Sequence, residues 1–284
     1  MKIVKSFVLN IISIAILSQL SLSSLAQTDS VSHIHDIALG KNGNSYNHKE
    51  KALMFSIGSA NVLDTYLTAE QYKGTELRII SEYRKPIPNK KLSHMISHHG
   101  CFTTLDNRVG TGNEIGGMYK FQYVLYYRFS LAQNLSLQVG GGINAQLGAL
   151  YNTRNSNNPV QMDISLHLSP SANISYRKFI GNREYVVRYE LSSPLCGLMF
   201  SPNYGQSYYE IFSKGNYDHN IVPTTIFSTP SLCHSLTFDW QIAKSKPNSK
   251  IRIGYLGDIQ QSEVNKIKRH HYAHMFLIGW VNNI

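Results

Sequence analysis

The chain has 284 residues, of which 27 are Lys or Arg and 17 are Asp or Glu, so only 15% are charged and the formal net charge is +10. Soluble domains usually carry about a quarter of charged residues. Together with 18 Tyr, 11 Phe and 2 Trp, this composition excludes a disordered chain, a collagen, a coiled coil and a disulfide-dense miniprotein. It leaves a β-rich globular or barrel protein.

The first segment has the pattern of a secretory signal peptide over residues 1–26. Lys2 and Lys5 precede a short apolar run, and small residues before Gln27 predict cleavage near Ala26. No later run reaches the ~20 apolar residues of a membrane helix, so any membrane crossing must be made by strands. A polar flank over 27–51 follows, and we expect the folded part to cover 52–284. Export argues against a nucleic-acid partner, so the positive surplus points to anionic lipid or lipopolysaccharide.

From residue 52 onward, apolar and polar side chains alternate with the period of a β-strand. The three clearest runs begin at Ile115, Leu135 and Val160. Counting weaker copies, the pattern predicts about ten strands, with eight or twelve as alternatives. They are 53–60, 77–84, 91–104, 115–130, 135–149, 160–177, 185–192, 236–242, 250–256 and 270–281.

The connections alternate between short and long, which is typical of an up-and-down barrel of a bacterial outer membrane. Short turns are predicted at 85–90, 132–134, 180–183 and 244–249. Long loops are predicted at 61–74, 105–114, 151–159, 199–229 and 257–268. An even strand number with both termini at the periplasmic end has the parity of such barrels.

Alternation alone does not say which face of the sheet is wet, so a soluble barrel or sandwich is the alternative. Four features favour a membrane barrel: long strands, a polar face of Gly, Ser, Asn and Gln, aromatic residues at strand ends, and an in-phase apolar C-terminus. The aromatic residues assigned to the periplasmic ends are Tyr127, Phe129, Tyr176, Tyr185, Trp240 and Trp280.

The polar face places charges of both signs in the interior of such a barrel. The cations are Arg78, Arg84, Lys120, Arg128, Arg177, Arg188 and Arg252, and the acids are Glu76, Glu82, Asp163, Glu190 and Asp239. Because a narrow lumen requires charges to pair or keep water, this near-balance predicts structural ion pairs rather than a selective pore.

Two small clusters have the residue types of hydrolases. His167 and Ser169 share one strand face, so the imidazole could serve as base for the hydroxyl, as in lipid hydrolases. Asp218 and His219 lie in the longest loop, where an Asp–His pair could activate water against a peptide. The alternatives are a hydrogen bond in the lumen and an ordinary turn Asp.

Other polar clusters carry weaker signals. We expect no metal at the groups His33, His35, Asp36 and His270, His271, His274, because neither has further ligands. No cofactor motif is present. Cys196 and Cys233 flank the longest loop in the polar phase, so a disulfide there is one possibility and single free thiols are the other.

The predicted outer loops contain the best candidates for contact with a ligand, because Tyr and amide side chains combine flat surface with hydrogen bonding. The alternative for the segment 201–210 is a loop folded over the mouth of the barrel. The candidates are Asp64, Tyr66, Asn155, Tyr204, Gln206, Tyr208, Tyr209 and Asp258.

Several stretches resemble a domain-of-unknown-function family of exported outer-membrane β proteins from Gram-negative, gut-type bacteria. They are Asn61–Leu67, Tyr151–Asn155, Asn157–Pro159, Phe200–Phe212, Gly215–Asn220 and Gly254–Asp258. The resemblance covers about 52–284 and implies export and a barrel, with no activity, cofactor or catalytic residue.

We therefore predict an all-β, transmembrane, antiparallel barrel in the outer membrane. The expected role is non-enzymatic, with surface loops that bind a ligand or partner or cap the barrel. The alternatives are a hydrolase of lipid or peptide and a narrow channel. Expected partners are outer-membrane lipid, lipopolysaccharide and the barrel-insertion machinery.

Overall fold

The computed structural model of the protein describes residues 49–181, 183–242 and 248–284. The predicted signal peptide, the cluster of His33, His35 and Asp36, and nearly all of the polar flank lie outside the described residues. The first described strand begins at Glu50. The division of the chain at residues 26 and 52 stays a prediction.

The described residues form twelve strands and one short helix. Their bounds are β1 Glu50–Asp64, β2 Tyr72–Pro86, β3 Leu92–Asn107, β4 Asn113–Ala132, β5 Leu135–Asn152, β6 Val160–Ile180, β7 Arg183–Ser192, β8 Cys196–Phe200, α1 Tyr208–Phe212, β9 Ile221–Thr225, β10 Leu232–Gln241, β11 Ser249–Val264 and β12 Ile267–Asn283.

Ten of these strands close into an antiparallel barrel. Each pairs with its neighbours along the chain, except that β7 pairs with β10 and β12 returns to β1. The short strand β8 continues the pairing of β7 along β6, and β9 pairs with β8. The ten-stranded barrel predicted from the sequence is confirmed. Strand β9 is an addition within the region predicted as the loop 199–229.

The two ends of the barrel differ in the length of their connections. At the inner end, Glu50 pairs with Asn283, and short turns join β2 to β3, β4 to β5 and β6 to β7. At the outer end, longer segments join β1 to β2, β5 to β6 and β8 to β9, whereas the β3–β4 connection, 108–112, is as short as the β2–β3 connection, 87–91. We use inner end and outer end in this sense throughout.

The prediction of an outer loop over 257–268 is wrong. Strand β11 runs to Val264 and β12 starts at Ile267, so a two-residue hairpin replaces the loop. Asn265 and Lys266 have φ of 52° and 62°, the left-handed conformation that both central residues of a tight hairpin turn require. The sequence shows little alternation of apolar and polar residues here, because most outward residues of β11 and β12 near this turn are polar.

The burial pattern is the reverse of that in a soluble protein. Large apolar side chains point outward, with Phe55 53% exposed and Trp280 58% exposed. Charged side chains fill the interior, with Arg78 1% and Arg252 2% exposed. Such a surface is stable only against lipid, so this is a transmembrane β-barrel and the soluble alternative is excluded. Among the described residues, no helix is long and apolar enough to cross a bilayer.

Glycines on β5 allow the neighbouring strand to approach closely. A Cβ built on Gly142 would lie 1.7 Å from the carbonyl oxygen of Tyr123. A Cβ on Gly140 would lie 2.0 Å from that of Leu125. The polar face of β5 is therefore rich in glycine because β4 occupies the space that side chains would need.

Candidate functional site: a paired lumen beneath a folded cap

The inner half of the lumen is crossed by ion pairs, which we call the inner network. Its members are Glu50, Glu82, Arg84, Arg188, Glu190, Asp239 and Arg252. The Nε atom of Arg252 lies 2.6 Å from Asp239, and its Nη2 atom lies 2.8 Å from Glu50. These contacts link strands on different sides of the barrel, so the network braces the wall across its diameter.

A second set of ion pairs, the outer network, lies nearer the outer end. Asp258 contacts Arg78 at 2.7 Å and also pairs with Lys120. Arg269 lies 2.8 Å from Asp64 and 3.1 Å from Asp163. The further members are Glu76, which pairs with Arg78 and His271, and the amides of Gln146 and Gln260, which bond to Asp163 and Asp258.

The predicted pairing of lumen charges is confirmed, and the structure adds members that the sequence analysis missed. These are Glu50, Asp64, Glu184, Lys250, Asp258, Arg269 and His271. Three of them, Glu50, Asp64 and Asp258, lie in parts of the chain assigned to the flank or to loops. Continuing the period-two count through residues 257–269 would have placed Asp258 and Arg269 on opposite strands of a hairpin facing the lumen.

A cavity of about 140 Å³ lies in the outer half of the lumen. Three carboxylates and three Lys or Arg side chains line it, and all six belong to the outer network: Asp64, Asp163, Asp258, Arg78, Lys120 and Arg269. Further inward lie smaller cavities of about 60 Å³ and about 80 Å³. The outer two cavities share His99 and Gln122 in their walls, and the inner two share Arg84 and Arg188. The lumen thus contains a series of cavities, and residues of the inner network lie between the inner two.

His167 and Ser169 face the outer cavity of about 140 Å³ but do not form a catalytic pair. The Nε2 atom of His167 lies 3.1 Å from the hydroxyl of Thr224 on β9. The Ser169 hydroxyl is buried and has no hydrogen-bond partner among the described residues. Because His167 bonds to Thr224 and, in the part of the chain that the structure describes, to no acid, this geometry lacks the hydrogen-bonded relay that activates a serine.

The segment 201–220 folds into a cap held by its own polar side chains. The Gln206 amide donates to the Asn216 carbonyl oxygen at 2.9 Å and accepts from Asn220 at 2.7 Å. Asn265, in the β11–β12 turn, donates to the carbonyl oxygen of His219 at 2.9 Å. Gln206 therefore stabilises the cap from within, which is the capping alternative left open by the sequence.

Tyrosines fasten this cap to a neighbouring loop and to strand β6. The Tyr66 hydroxyl donates to the Gln206 carbonyl oxygen at 3.0 Å, and the Tyr208 hydroxyl donates to Gln161 at 2.6 Å. Burial and the nearby Asp64 carboxylate raise the pKa of Tyr66 to about 12, so the phenol keeps its proton. Asn155 donates to the Leu67 carbonyl oxygen at 3.0 Å and joins a third loop to the assembly.

A short helix, α1, ends in exposed rings on the cap. Ser207 and Glu210 form a capping box at its start, and their hydrogen bonds lower the pKa of Glu210. Tyr209 is 63% exposed and Tyr204 is 72% exposed. Phe212 and Tyr217 lie in edge-on contact at 6.5 Å between ring centroids, and both are exposed. We call Tyr204, Tyr209, Phe212 and Tyr217 the cap rings.

Asp218 and His219 form an exposed pair on the surface of the cap. Their side chains are 2.6 Å apart and 74% and 79% exposed. Asp64 and Asp106, which a water-activating pair at the outer end could take as a second acid, are engaged elsewhere, since Asp64 contacts Arg269 and Asp106 bonds to Asn113. The four residues are therefore not assembled into a water-activating site.

The predicted ligand residues separate into three groups. Tyr204 and Tyr209 are exposed, whereas Tyr66, Asn155, Gln206 and Tyr208 hold the loops together. Asp64 and Asp258 are buried in the lumen at the ends of ion pairs, and Asp258 lies in β11 rather than in a loop.

The cysteines are free thiols and do not bridge the longest loop. Cys196 shares the outward phase of the exposed Leu198, so its predicted place on the polar face is wrong, whereas Cys233 lines the lumen. A disulfide between opposite faces of the wall is geometrically excluded. Within the described ranges, no three His, Cys, Asp or Glu residues form a metal-binding group.

The model of one protein family matches residues 12–284. The chain belongs to this family, described as a protein of unknown function (DUF3316). No curated protein matches the chain.

Three similar solved structures are barrels of bacterial surface proteins. The outer membrane protease OmpT from Escherichia coli is 6% identical, with 85% of this chain and 98% of that chain covered and a TM-score of 0.45. The transport unit of the autotransporter AIDA-I from Escherichia coli is 8% identical, covering 87% and 94%, with a TM-score of 0.44. A major outer membrane protein from Thermus thermophilus is 10% identical, covering 83% and 99%, with a TM-score of 0.36. These values transfer no residue role and no activity to this chain.

Proposed function

We propose that this outer-membrane barrel is a non-enzymatic surface protein whose folded cap binds a ligand or partner through the cap rings. The observation that carries the proposal is that some polar residues of the loops bond within the cap while others stay exposed. Tyr66, Gln206 and Tyr208 use their polar groups inside the cap, whereas the hydroxyls of Tyr204 and Tyr209 bond to no other described residue and stay exposed. Exposed aromatic side chains on a rigid support suit recognition.

A binding assay with intact cells tests this role. Cells that display the full chain are applied to immobilised oligosaccharides, because sugar faces stack on tyrosine rings. We expect retention that falls at least about tenfold when Tyr204 and Tyr209 are both changed to Ser, the loss of two ring contacts. The matched control is Phe227→Ser, which removes an exposed ring outside the cap. Equal retention of the double variant and wild type would remove the cap rings as the binding surface.

A narrow channel is the second candidate, and the series of three cavities favours it. In this alternative the inner network is a gate rather than a brace. Planar-bilayer recording separates the two roles: a brace gives no unitary conductance, whereas a gate gives discrete openings that increase when Arg252 is changed to Met. The hydrolase alternative predicts turnover of lipid or peptide that Ser169→Ala or His219→Ala abolishes. We propose that both substitutions leave the protein inert towards either substrate, as wild type is.

The chain's route to the membrane is part of the proposal. Residues 1–26 act as a signal peptide cleaved near Ala26, residues 27–51 form a polar flank, and the barrel-insertion machinery assembles 52–284. Mass spectrometry of the purified protein tests the cleavage, since a mature N-terminus at Gln27 supports it and an intact Met1 contradicts it. Lipopolysaccharide is the proposed lipid partner at the outer end.

A further inference from the structure

Strand β12 carries a row of polar rings on its lipid-facing surface. Its outward positions are His270, Tyr272 and His274, followed towards the inner end by Phe276, Ile278 and Trp280. On β4, by contrast, every outward position from Tyr119 to Phe129 is aromatic or apolar. On β12 the apolar band therefore ends nearer the inner end of the barrel than it does on β4. The three polar rings lie at the outer edge of the band. We call His270, Tyr272 and His274 the polar strip.

The polar strip is held by contacts within β12 and with the adjacent strands, and Nε2 of His270 lies 3.5 Å from Oδ1 of Asn61 on β1. The rings of His270 and Tyr272 stack at 4.4 Å with 7° between their planes. The Tyr255 hydroxyl lies 2.6 Å from Nδ1 of His274. If Tyr255 donates this bond, then Nε2 of His274 carries a proton and is available as a donor to the outside.

The strip continues into the band as a ladder of rings. His234 on β10 lies 5.6 Å from Tyr255, and Tyr189 on β7 lies 6.1 Å from His234. Gly257 makes room for this ladder, because a Cβ there would lie 2.4 Å from Nε2 of His234 and 2.9 Å from the Tyr255 hydroxyl. Leu232 on β10 and Ile259 on β11 lie on the outer-end side of the ladder and cover it with apolar side chains. The ladder therefore reaches a polar surface at its β12 end.

At the edge of an apolar band the rings of histidine and tyrosine suit the interface, and their ring nitrogens and hydroxyl need polar partners there. The groups that reach this position from outside are lipid headgroups of the outer leaflet. Outward lysines lie beside and above the strip: Lys73 is in register with Asn61, which pairs with Tyr272, and Lys266 and Lys268 follow at the turn. Asp106 and Glu263 oppose them, which leaves a surplus of one positive charge.

We propose that the polar strip binds the phosphorylated headgroup of lipopolysaccharide, with His270, Tyr272 and His274 as hydrogen-bond donors to its phosphate and sugar oxygens. This inference rests on the proposed function, in which the barrel lies in the outer membrane and its outer end faces the cell exterior. A phosphate needs several donors, and a row of rings on alternate strand positions supplies them along one line.

The structure supplies a matched control on the opposite side of the barrel. His98 on β3 and Tyr119 on β4 also face lipid and share a 2.6 Å hydrogen bond between Nδ1 and the hydroxyl. That pair has no row of polar rings above it on its own strand. The test variant is His270→Leu with Tyr272→Phe and His274→Leu. The control variant is His98→Leu with Tyr119→Phe.

The assay is titration of the purified full chain in detergent with lipopolysaccharide, with folding checked by the gel shift on heating. We expect the test variant to bind at least about tenfold more weakly, the loss of one charge-assisted hydrogen bond or more, and the control variant to bind like wild type. Enzymatic dephosphorylation of the lipopolysaccharide should reduce wild-type binding to the level of the test variant.

Three outcomes overturn the proposal. If the test variant, still heat-modifiable, binds like wild type, the strip is not the site although lipopolysaccharide remains a partner. If phosphatidylglycerol binds as tightly as lipopolysaccharide, the strip recognises lipid phosphate in general. If wild type binds neither lipid, the lipopolysaccharide partnership of the proposed function fails as well, whereas binding through the cap rings is untouched.

Discussion

Removing the guanidinium of Arg252 tests whether the inner network braces the barrel. Arg252→Met deletes contacts to Asp239, Glu50 and Glu82. Glu50 keeps Arg188 at 2.8 Å, and Glu82 keeps Arg84 at 2.7 Å. Asp239 has no second cation among the described residues and is 1% exposed. The substitution therefore creates one uncompensated buried carboxylate.

Such a charge costs about 3–5 kcal/mol when its partner is removed. Unfolding by urea in lipid vesicles, followed through the fluorescence of the chain's two tryptophans, should report a loss of this size. Adding Asp239→Asn to Arg252→Met removes the stranded charge, and we expect most of the loss to be recovered. The double variant is the decisive comparison because both variants lack the same arginine.

Lys268→Met is the control for loss of a positive charge. Its ion pair with Glu263 spans 3.9 Å and both side chains are 65% exposed, so we expect a change of about 0–1 kcal/mol. The reasoning is refuted if Arg252→Met costs less than about 1 kcal/mol, or if the double variant is no more stable than the single one. Either result would mean that water solvates the Asp239 carboxylate well enough to make the arginine dispensable.

Four further outcomes follow from the geometry. Gly142→Val should prevent assembly of a heat-modifiable barrel on gels, since its Cβ would lie 1.7 Å from a backbone oxygen of β4. Tyr208→Phe removes the hydroxyl that bonds to two groups on β6, so hydrogen exchange in the cap should accelerate about tenfold without a change in barrel stability. The pKa of Glu210 is lowered by its bonds to Ser207. These bonds should therefore stabilise α1 at pH values above the pKa that Glu210 has in the unfolded state, and the stabilisation should be lost as the pH falls through the pKa of the folded state. Glu210→Gln should remove this pH dependence, which hydrogen exchange in α1 measures. Cys233, which lines the lumen, should react with a polar maleimide far more slowly than a cysteine introduced at Tyr204.

The pattern of the chain by itself determined the barrel. Alternation in the runs from Ile115, Leu135 and Val160 is strong because every second side chain must meet lipid, and nothing else in the environment competes with that demand. The same pattern predicts that Arg78, Glu82 and Arg252 face the lumen, as they do. It failed at 257–268, where outward residues are polar and the two faces look alike.

Tertiary structure decided which loop residues are free. Tyr204 and Tyr208 are indistinguishable in sequence, but only the folded cap shows that Tyr208 reaches Gln161 while Tyr204 stays outside. It likewise decided that His167 bonds to Thr224 and that Asp258 meets Arg78 and Lys120. These partners come from strands far apart in sequence, and strand register, which the alternation of one strand does not specify, is what brings them together.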